Sequence, residues 1–267
     1  MQRTGQPIEG VPAMHRDRPG NSMSPQTEVK PASIPPDTRV YAVGDVHGRV
    51  DLLMELHRRI AEDAKTAPES RRLVIYLGDY VDRGADSAGV IDHLVKAPLP
   101  DFQQVYLMGN HEELLLHFLD DPTDGDVWIA NGGDATLTSY GVEAGIDGFS
   151  GNLTDAWEQL RKKMPKEHAA FLKTLGVSHL EGDYLFVHAG IRPGVPLDKQ
   201  SEEDLLWIRE PFLEADGEHE FVVVHGHTPV DAGQVHDNRI AVDTGAVWSD
   251  RLTAVVLHDE EHSFLHT

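Results

Sequence analysis

Cysteine is absent from all 267 residues of the chain. Disulfides, thiolate nucleophiles and thiolate metal sites are thereby excluded, and any metal must be held by oxygen and imidazole nitrogen. The absence fits a cytoplasmic protein. Long apolar runs are missing too: no stretch approaches the roughly 18 residues needed to cross a bilayer, and the N-terminus has no apolar core that could act as a signal peptide. The chain reads as soluble and not exported. Positive charge is scarce. Lys and Arg number 23 against 45 Asp and Glu, a formal net charge of −22; residues 1–36 carry +1, so the remainder carries −23. Such a body repels polyanions at long range, and neither nucleic acid nor an anionic membrane is an expected partner.

Residues 1–36 are rich in Pro, Ser, Gly and Gln, lack periodicity and end in Ile34-Pro35-Pro36. This composition predicts a disordered tail, followed by one domain over 37–267. Apolar patterning then predicts strands at Arg39–Val43, Leu73–Leu77 and Gln104–Met108. Helices are expected over Val50–Ala64, near Ser87–Val95 and from about Glu112. The middle reads as helical, with a break at Pro165. Further on, Tyr184–Val187, Phe221–Val224, Ile240–Val242 and Leu252–Leu257 are short β-rich runs. The expected fold is α/β, a two-sheet β-sandwich flanked by helices.

Glycine and a metal-ligand residue type recur where strands end. Gly44-Asp45-Val46-His47-Gly48 follows the first strand, Gly78-Asp79-Tyr80-Val81-Asp82-Arg83-Gly84 the second, and Gly109-Asn110-His111-Glu112 the third. Two later strands end in Val187-His188-Ala189-Gly190 and Val224-His225-Gly226-His227. One strand-Gly-Asp is usually a turn with a capping aspartate. Five in succession, all at strand ends where loops converge on ligands, are not five accidents. Hydrolysis of a phosphate monoester is very slow unassisted. A strong nucleophile and neutralising charge are both supplied by two cations about 3.5–4 Å apart, bridged by a carboxylate. Mn²⁺, Fe²⁺ or Zn²⁺ suits a mixed imidazole and carboxylate set, whereas Mg²⁺ prefers oxygen alone.

These motifs resemble the calcineurin-like metallophosphoesterases, and within them the phosphoprotein phosphatases, most closely the bacterial and lambda-phage-type serine/threonine enzymes. The likeness runs from about Val40 to Leu257 and takes in Trp128-Ile129-Ala130-Asn131-Gly132-Gly133, Leu206-Trp207-Ile208-Arg209-Glu210 and Asp243-Thr244-Gly245-Ala246-Val247. The resemblance implies that Asp45 and His47 bind a first metal, that Asp79 bridges, and that Asn110, His188 and His227 complete the second. It implies that Arg83 and Arg209, with Asn110, hold the phosphate. His111, oriented by Asp82, would protonate the leaving group. The implied cofactors are two divalent ions, with manganese expected, and the implied reaction is attack by a bimetal-activated hydroxide. The implied substrate is a phosphoprotein or small phosphate ester.

Protein serine/threonine dephosphorylation is the leading expectation. Symmetrical hydrolysis of dinucleoside tetraphosphates is the rival, and a non-catalytic metal-binding module a more distant one. Asp82 and Glu112 favour the first, because the dinucleotide branch tends to lack the one and to carry Asp in place of the other. Arg49 is expected to add a cation at the pocket border, and His225, by strand alternation, to point away from His227.

Overall fold

The computed structural model describes residues 31–96, 99–143, 152–217 and 219–267. Strand β1 (Thr38–Val43) turns Val40 and Ala42 to one side and Tyr41 and Val43 to the other, and all four are fully buried. Both faces of its sheet must therefore be covered. One is covered by a second sheet and the other by helices.

The first sheet runs β10 (Glu261–His266), β9 (Thr253–His258), β1, β2 (Arg71–Tyr76), β3 (Gln103–Tyr106). Its β1–β2–β3 portion is parallel, while β9 and β10 are antiparallel additions. In the second sheet the order is β4 (Ser178–Glu181), β5 (Tyr184–Val187), β6 (Val222–His225), β8 (Arg239–Ala241), β7 (Gln234–Val235). Here β5, β6 and β8 are parallel and the two outer strands antiparallel.

Period-two alternation divides the core. Val40, Ala42, Leu73 and Ile75 meet Phe186, Val224 and Ile240 between the sheets. On the far side of the first sheet, Tyr41, Val43, Val74 and Tyr76 pack on helices α1 (Val50–Thr66), α2 (Ser87–Lys96) and α3 (Asn110–Asp120) through Leu53, Leu56, Ile60, Ile91 and Leu115. Short helices α4 (Gly125–Trp128) and α5 (Asp134–Ser139) and the pair α6 (Leu153–Lys163) and α7 (Lys166–Leu172) extend this layer. Outside the second sheet, Leu185, Val187 and Val223 pack on Phe212, Ile208 and Leu205, the last from α8 (Glu202–Trp207). The result is the expected sandwich between helices. Phe186 is fully buried at its centre, and truncation to Ala costs about 3–5 kcal/mol.

The differences lie at the margins. β4, β7 and β10 escape sequence detection because edge strands carry no alternating apolar pattern, and β10 is mostly exposed. Of the expected tail, residues 1–30 lie outside the described residues. Its last part belongs to the body: Ile34 is buried in the inter-sheet core and its N–H donates to the Asp259 carbonyl at 2.8 Å. Ser33 is held by Asp183 Oδ2, at 2.9 Å from its N–H and 3.0 Å from its hydroxyl. The two flanking prolines masked one buried isoleucine in the composition.

Candidate metal centre

The parallel strands of both sheets deliver their C-terminal loops to one place. His47, Asp79, Asp82, Arg83 and His227 there have positive φ, between 44° and 71°. Five site residues thus sit in a region that non-glycine side chains avoid at a cost of order 1 kcal/mol or more each. Main-chain bonds hold them. The N–H groups of Val46 and His47 both donate to the Asp79 carbonyl, at 3.0 and 2.8 Å. The buried Glu112 carboxylate accepts from the N–H groups of Gly109, Asp79, Tyr80 and Val81 at 2.9, 2.8, 2.7 and 3.2 Å. It is the tie between the second and third motifs.

At the floor, His47 Nδ1 donates to the Val81 carbonyl (2.8 Å) and His188 Nδ1 to the Leu77 carbonyl (2.9 Å). Each ring therefore turns an unprotonated Nε2 inward. Burial pushes both imidazoles well below the usual histidine range. His227 is likewise pulled down to about 3 by burial, with Arg209 adding to the effect. These are neutral rings with lone pairs to give.

The His188 Nε2 lone pair faces Asn110 Oδ1 at 2.9 Å and Asp79 Oδ1 at 3.4 Å. Asn110 Oδ1 is also 3.0 Å from His227 Nδ1, and His47 Nε2 is 3.4 Å from Asp79 Oδ2. At His188, whose ring proton is committed to Leu77, acceptor is set against acceptor, which is unfavourable, and a cation between them resolves it. Two donor groups have their ligand atoms within 4.8 Å of one another, His47–Asp79–His111 and Asp79–His188–His227. Asp79 belongs to both, so this donor set fits a bridged pair of borderline divalent ions.

The sequence reading put Asp45 with His47. Asp45 is buried nearby, but its carboxylate turns to the N–H of His227 (3.1 and 3.2 Å) and lies outside both donor groups, the one with His47 taking in His111 instead. Burial, with the neighbouring Asp243 and Asp79 charges, raises Asp45 well above the usual carboxylate range; burial, opposed by the Gly245 N–H, lifts Asp243 to about 6. Three crowded carboxylates, Asp45, Asp79 and Asp243, call for positive charge.

Two arginines border the floor. Arg83 Nη1 donates to His47 Nε2 at 2.9 Å, and Arg209, an exposed residue, brings Nε to 3.4 Å from His227 Nε2. Beside them His111 Nδ1 donates to Asp82 Oδ2 at 2.7 Å, both side chains being fully buried. Burial drives the His111 pKa down, but the Asp79 charge and the Asp82 hydrogen bond outweigh it, and the pKa stands above the ordinary histidine value. His111 Nε2 is buried, without a hydrogen-bond partner, and 3.8 Å from Asp79 Oδ2.

Sequence reasoning missed what braces Asp82. Thr136 Oγ1 donates to its Oδ1 at 2.6 Å and Trp128 Nε1 to its two oxygens at 3.1 and 3.0 Å. The N–H of Asp82 donates to Ser87 Oγ (3.0 Å) and Thr136 Oγ1 (2.9 Å). Gly132, at φ 100°, accepts from the N–H of Arg83 at 3.1 Å, and a side chain on it would strike Arg83 Cγ. A side chain on Gly133 would strike the Trp128 ring. The Trp128–Gly133 segment was visible as a motif, and its glycines were the signal that something packs closely there.

Arg49 is not a pocket cation. Its guanidinium donates to Asp51 at 2.9 and 2.7 Å, to Asp250 Oδ1 at 2.6 Å and to the Ala246 carbonyl at 3.0 Å. His225 is buried edge-on against Phe212, 5.1 Å between ring centres, and takes no part in either donor group, as alternation predicts.

The chain aligns over 240 residues with the asymmetrical bis(5'-nucleosyl)-tetraphosphatase PrpE of Oceanobacillus iheyensis, at 24% identity, covering 84% of this chain and 90% of that protein. It is 28% identical over 222 residues to serine/threonine-protein phosphatase 1 of Salmonella typhimurium, covering 80% and 89%. Among solved structures, the fold is shared with a proposed diadenosine tetraphosphatase (TM-score 0.59, 20% identity, 88% of this chain and 98% of that one). It is shared also with a cold-active protein-tyrosine phosphatase of a Shewanella species (TM-score 0.51, 20% identity, 93% and 89%). The model of the calcineurin-like phosphoesterase family matches residues 38–254. The chain belongs to the calcineurin-like phosphoesterase family.

Proposed function

We propose that this phosphoesterase is a protein phosphatase that hydrolyses phosphoserine and phosphothreonine monoesters. The observation that carries the reading is the His111–Asp82 pair, 2.7 Å apart and closed off from solvent. A serine or threonine alkoxide is a poor leaving group that must be protonated as the P–O bond breaks. A histidine kept protonated by a buried carboxylate is the acid for that task. A phosphate leaving group needs no such help.

The family works with a divalent metal pair, and the donor set fits one. When bound at His47, Asp79, Asn110, His188 and His227, with Asp45 alongside, such a pair supplies a water of lowered pKa and positive charge against the phosphoryl oxygens. Asp79, common to both donor groups, would be a ligand to each ion. Arg83 and Arg209 offer planar forks of donors for the phosphoryl oxygens. Asp82 holds the proton on His111 Nδ1, so the proton that the imidazolium gives up toward the ester oxygen is the one on Nε2. Trp128 and Thr136 saturate Asp82 and keep it from turning away. Manganese remains the expected ion.

A second reading, hydrolysis of dinucleoside tetraphosphates, is favoured by the names of relatives such as that of Oceanobacillus iheyensis, which is asymmetrical where the sequence expectation was symmetrical cleavage. Glu112 no longer weighs against it, because its carboxylate faces main-chain N–H groups. The experiment that decides is His111→Asn. A loss of about 10²–10⁴-fold on phosphoserine peptides is expected, with a far smaller loss on p-nitrophenyl phosphate, whose leaving group needs little protonation. Equal losses on both would remove His111 from the acid role.

A further inference from the structure

Trp248 is the most exposed large apolar side chain among the described residues, 65% accessible, and it stands at the cleft with its ring centre 5.5 Å from Arg83 Cζ. Holding an indole in water forfeits the burial that aromatic side chains normally supply. Here the exposure is built in. Trp248 lies on the single turn α9 (Ala246–Ser249), flanked by Gly245 at φ 64° and Asp250 at φ 53°, both left-handed. The turn is fastened on three sides. Gly245 N–H donates to Asp243 Oδ1 at 2.8 Å, Ala246 is buried, and the N–H groups of Trp248 and Ser249 both donate to the Gly245 carbonyl at 2.9 Å. Arg49, from the first motif, spans to the Ala246 carbonyl (3.0 Å) and to Asp250 (2.6 Å). The arginine that does not reach the pocket thus pins the turn that carries the tryptophan.

An aromatic face fixed beside a guanidinium at the edge of a phosphate site matches one ligand feature: a flat ring close to the phosphate. We infer that Trp248 is a specificity-determining residue, a stacking surface for a planar aromatic ring carried by the substrate near its scissile phosphate. The inference rests on the phosphate-binding role proposed above for Arg83. The indole faces the substrate on one side and its cation–π contact with Arg83 keeps the guanidinium from drifting. A ring arriving over Trp248 while its phosphate meets Arg83 is held at two points, which orients the scissile bond. Nucleobases and the aromatic side chains of a phosphopeptide both present such a ring.

The test compares matched substrates with and without the ring, on wild type, Trp248→Ala and Trp248→Phe. One pair is diadenosine tetraphosphate against inorganic tetraphosphate. The other is a phosphoserine peptide with Phe at the neighbouring position against the same peptide with Ala. The readout is the ratio of kcat/KM within each pair. Trp248→Ala should lower that ratio about 5- to 150-fold in one pair, the range for losing one stacked ring. The loss should fall chiefly on KM, and Trp248→Phe should restore most of it. A drop confined to the nucleotide pair supports the platform with a nucleobase as its ring; a drop confined to the peptide pair supports it with an aromatic residue. Unchanged ratios in both pairs would overturn it. Failure of the wild type to cleave either phosphoserine peptide would remove the protein phosphatase reading, while the nucleotide pair would still decide on Trp248.

Discussion

At the floor of the cleft, His47 and His188 are almost inaccessible and fastened by main-chain carbonyls. At the rim, Arg209 and Trp248 stand in solvent on short segments. The floor has neutral imidazoles, crowded carboxylates and an imidazole bonded to a buried carboxylate. The rim has a cation and a flat apolar face. On the reading proposed above, the donor groups of the floor serve every phosphate ester, whereas the aromatic face at the rim discriminates among them.

The comparison can be broken most directly at Asp79, the residue shared by both donor groups. Asp79→Asn should lose at least one metal ion per chain by elemental analysis and about 10³-fold or more in activity on every substrate, rim-dependent or not. Unchanged metal content would remove the bridging role. Chelation of the wild type should likewise abolish p-nitrophenyl phosphate cleavage, and added Mn²⁺ restore it; full activity after exhaustive chelation would contradict the proposed centre.

A smaller effect sharpens the boundary between the two zones. Trp128→Phe deletes the N–H that meets Asp82 at 3.0 and 3.1 Å while keeping an aromatic ring in the same space. Activity on phosphoserine peptides should fall roughly 10-fold, with the high-pH limb of the pH–rate profile, where the acid loses its proton, displaced; the p-nitrophenyl phosphate rate should change much less. If both substrates suffer alike, Trp128 supports the fold and not the proton.

The smallest effect comes from a histidine outside the cleft, which serves as a control. His57 is buried between Tyr76 and His93, at 2.8 and 3.0 Å, and burial, with His93 adding, lowers its pKa to about 3. Below the unfolded value of roughly 6.5, the unfolded chain binds a proton that the folded one refuses, so stability is lost as the pH falls. The loss reaches about 2 kcal/mol by pH 5. Denaturant titrations at pH 7.5 and 5 should show a loss at least this large, and His57→Gln should reduce it by about 2 kcal/mol without altering metal content.

The floor was the legible part. Asp79, Asn110, His188 and His227 each follow a strand and a glycine is never far, so position and residue type together announced them. The inter-sheet core was legible for the same reason, since Val40, Ala42, Leu73 and Ile75 alternate cleanly. What escaped were contacts made across long sequence separations by ordinary residues. Nothing local marks Thr136 as a partner of Asp82, 54 positions away. Arg49 looked like a pocket cation because the sequence shows its charge but not Asp250, 201 positions on, that engages it. Ile34 escaped because a single apolar residue among prolines has no period to betray it. Glu112 was assigned to substrate choice, whereas its carboxylate collects four N–H groups.

The partners of His47 and His188 differ in kind from those of His111. Val81 and Leu77 contribute peptide oxygens, which every amino acid at those positions would supply equally. Drift in the surrounding side chains can therefore leave the ion-holding rings aimed as before. The ring proposed as the acid, His111, depends on a carboxylate, an indole and a hydroxyl, each removable by one substitution. A lineage built on this scaffold would lose its acid sooner than its metals, and with it the ability to release the more basic alcohols.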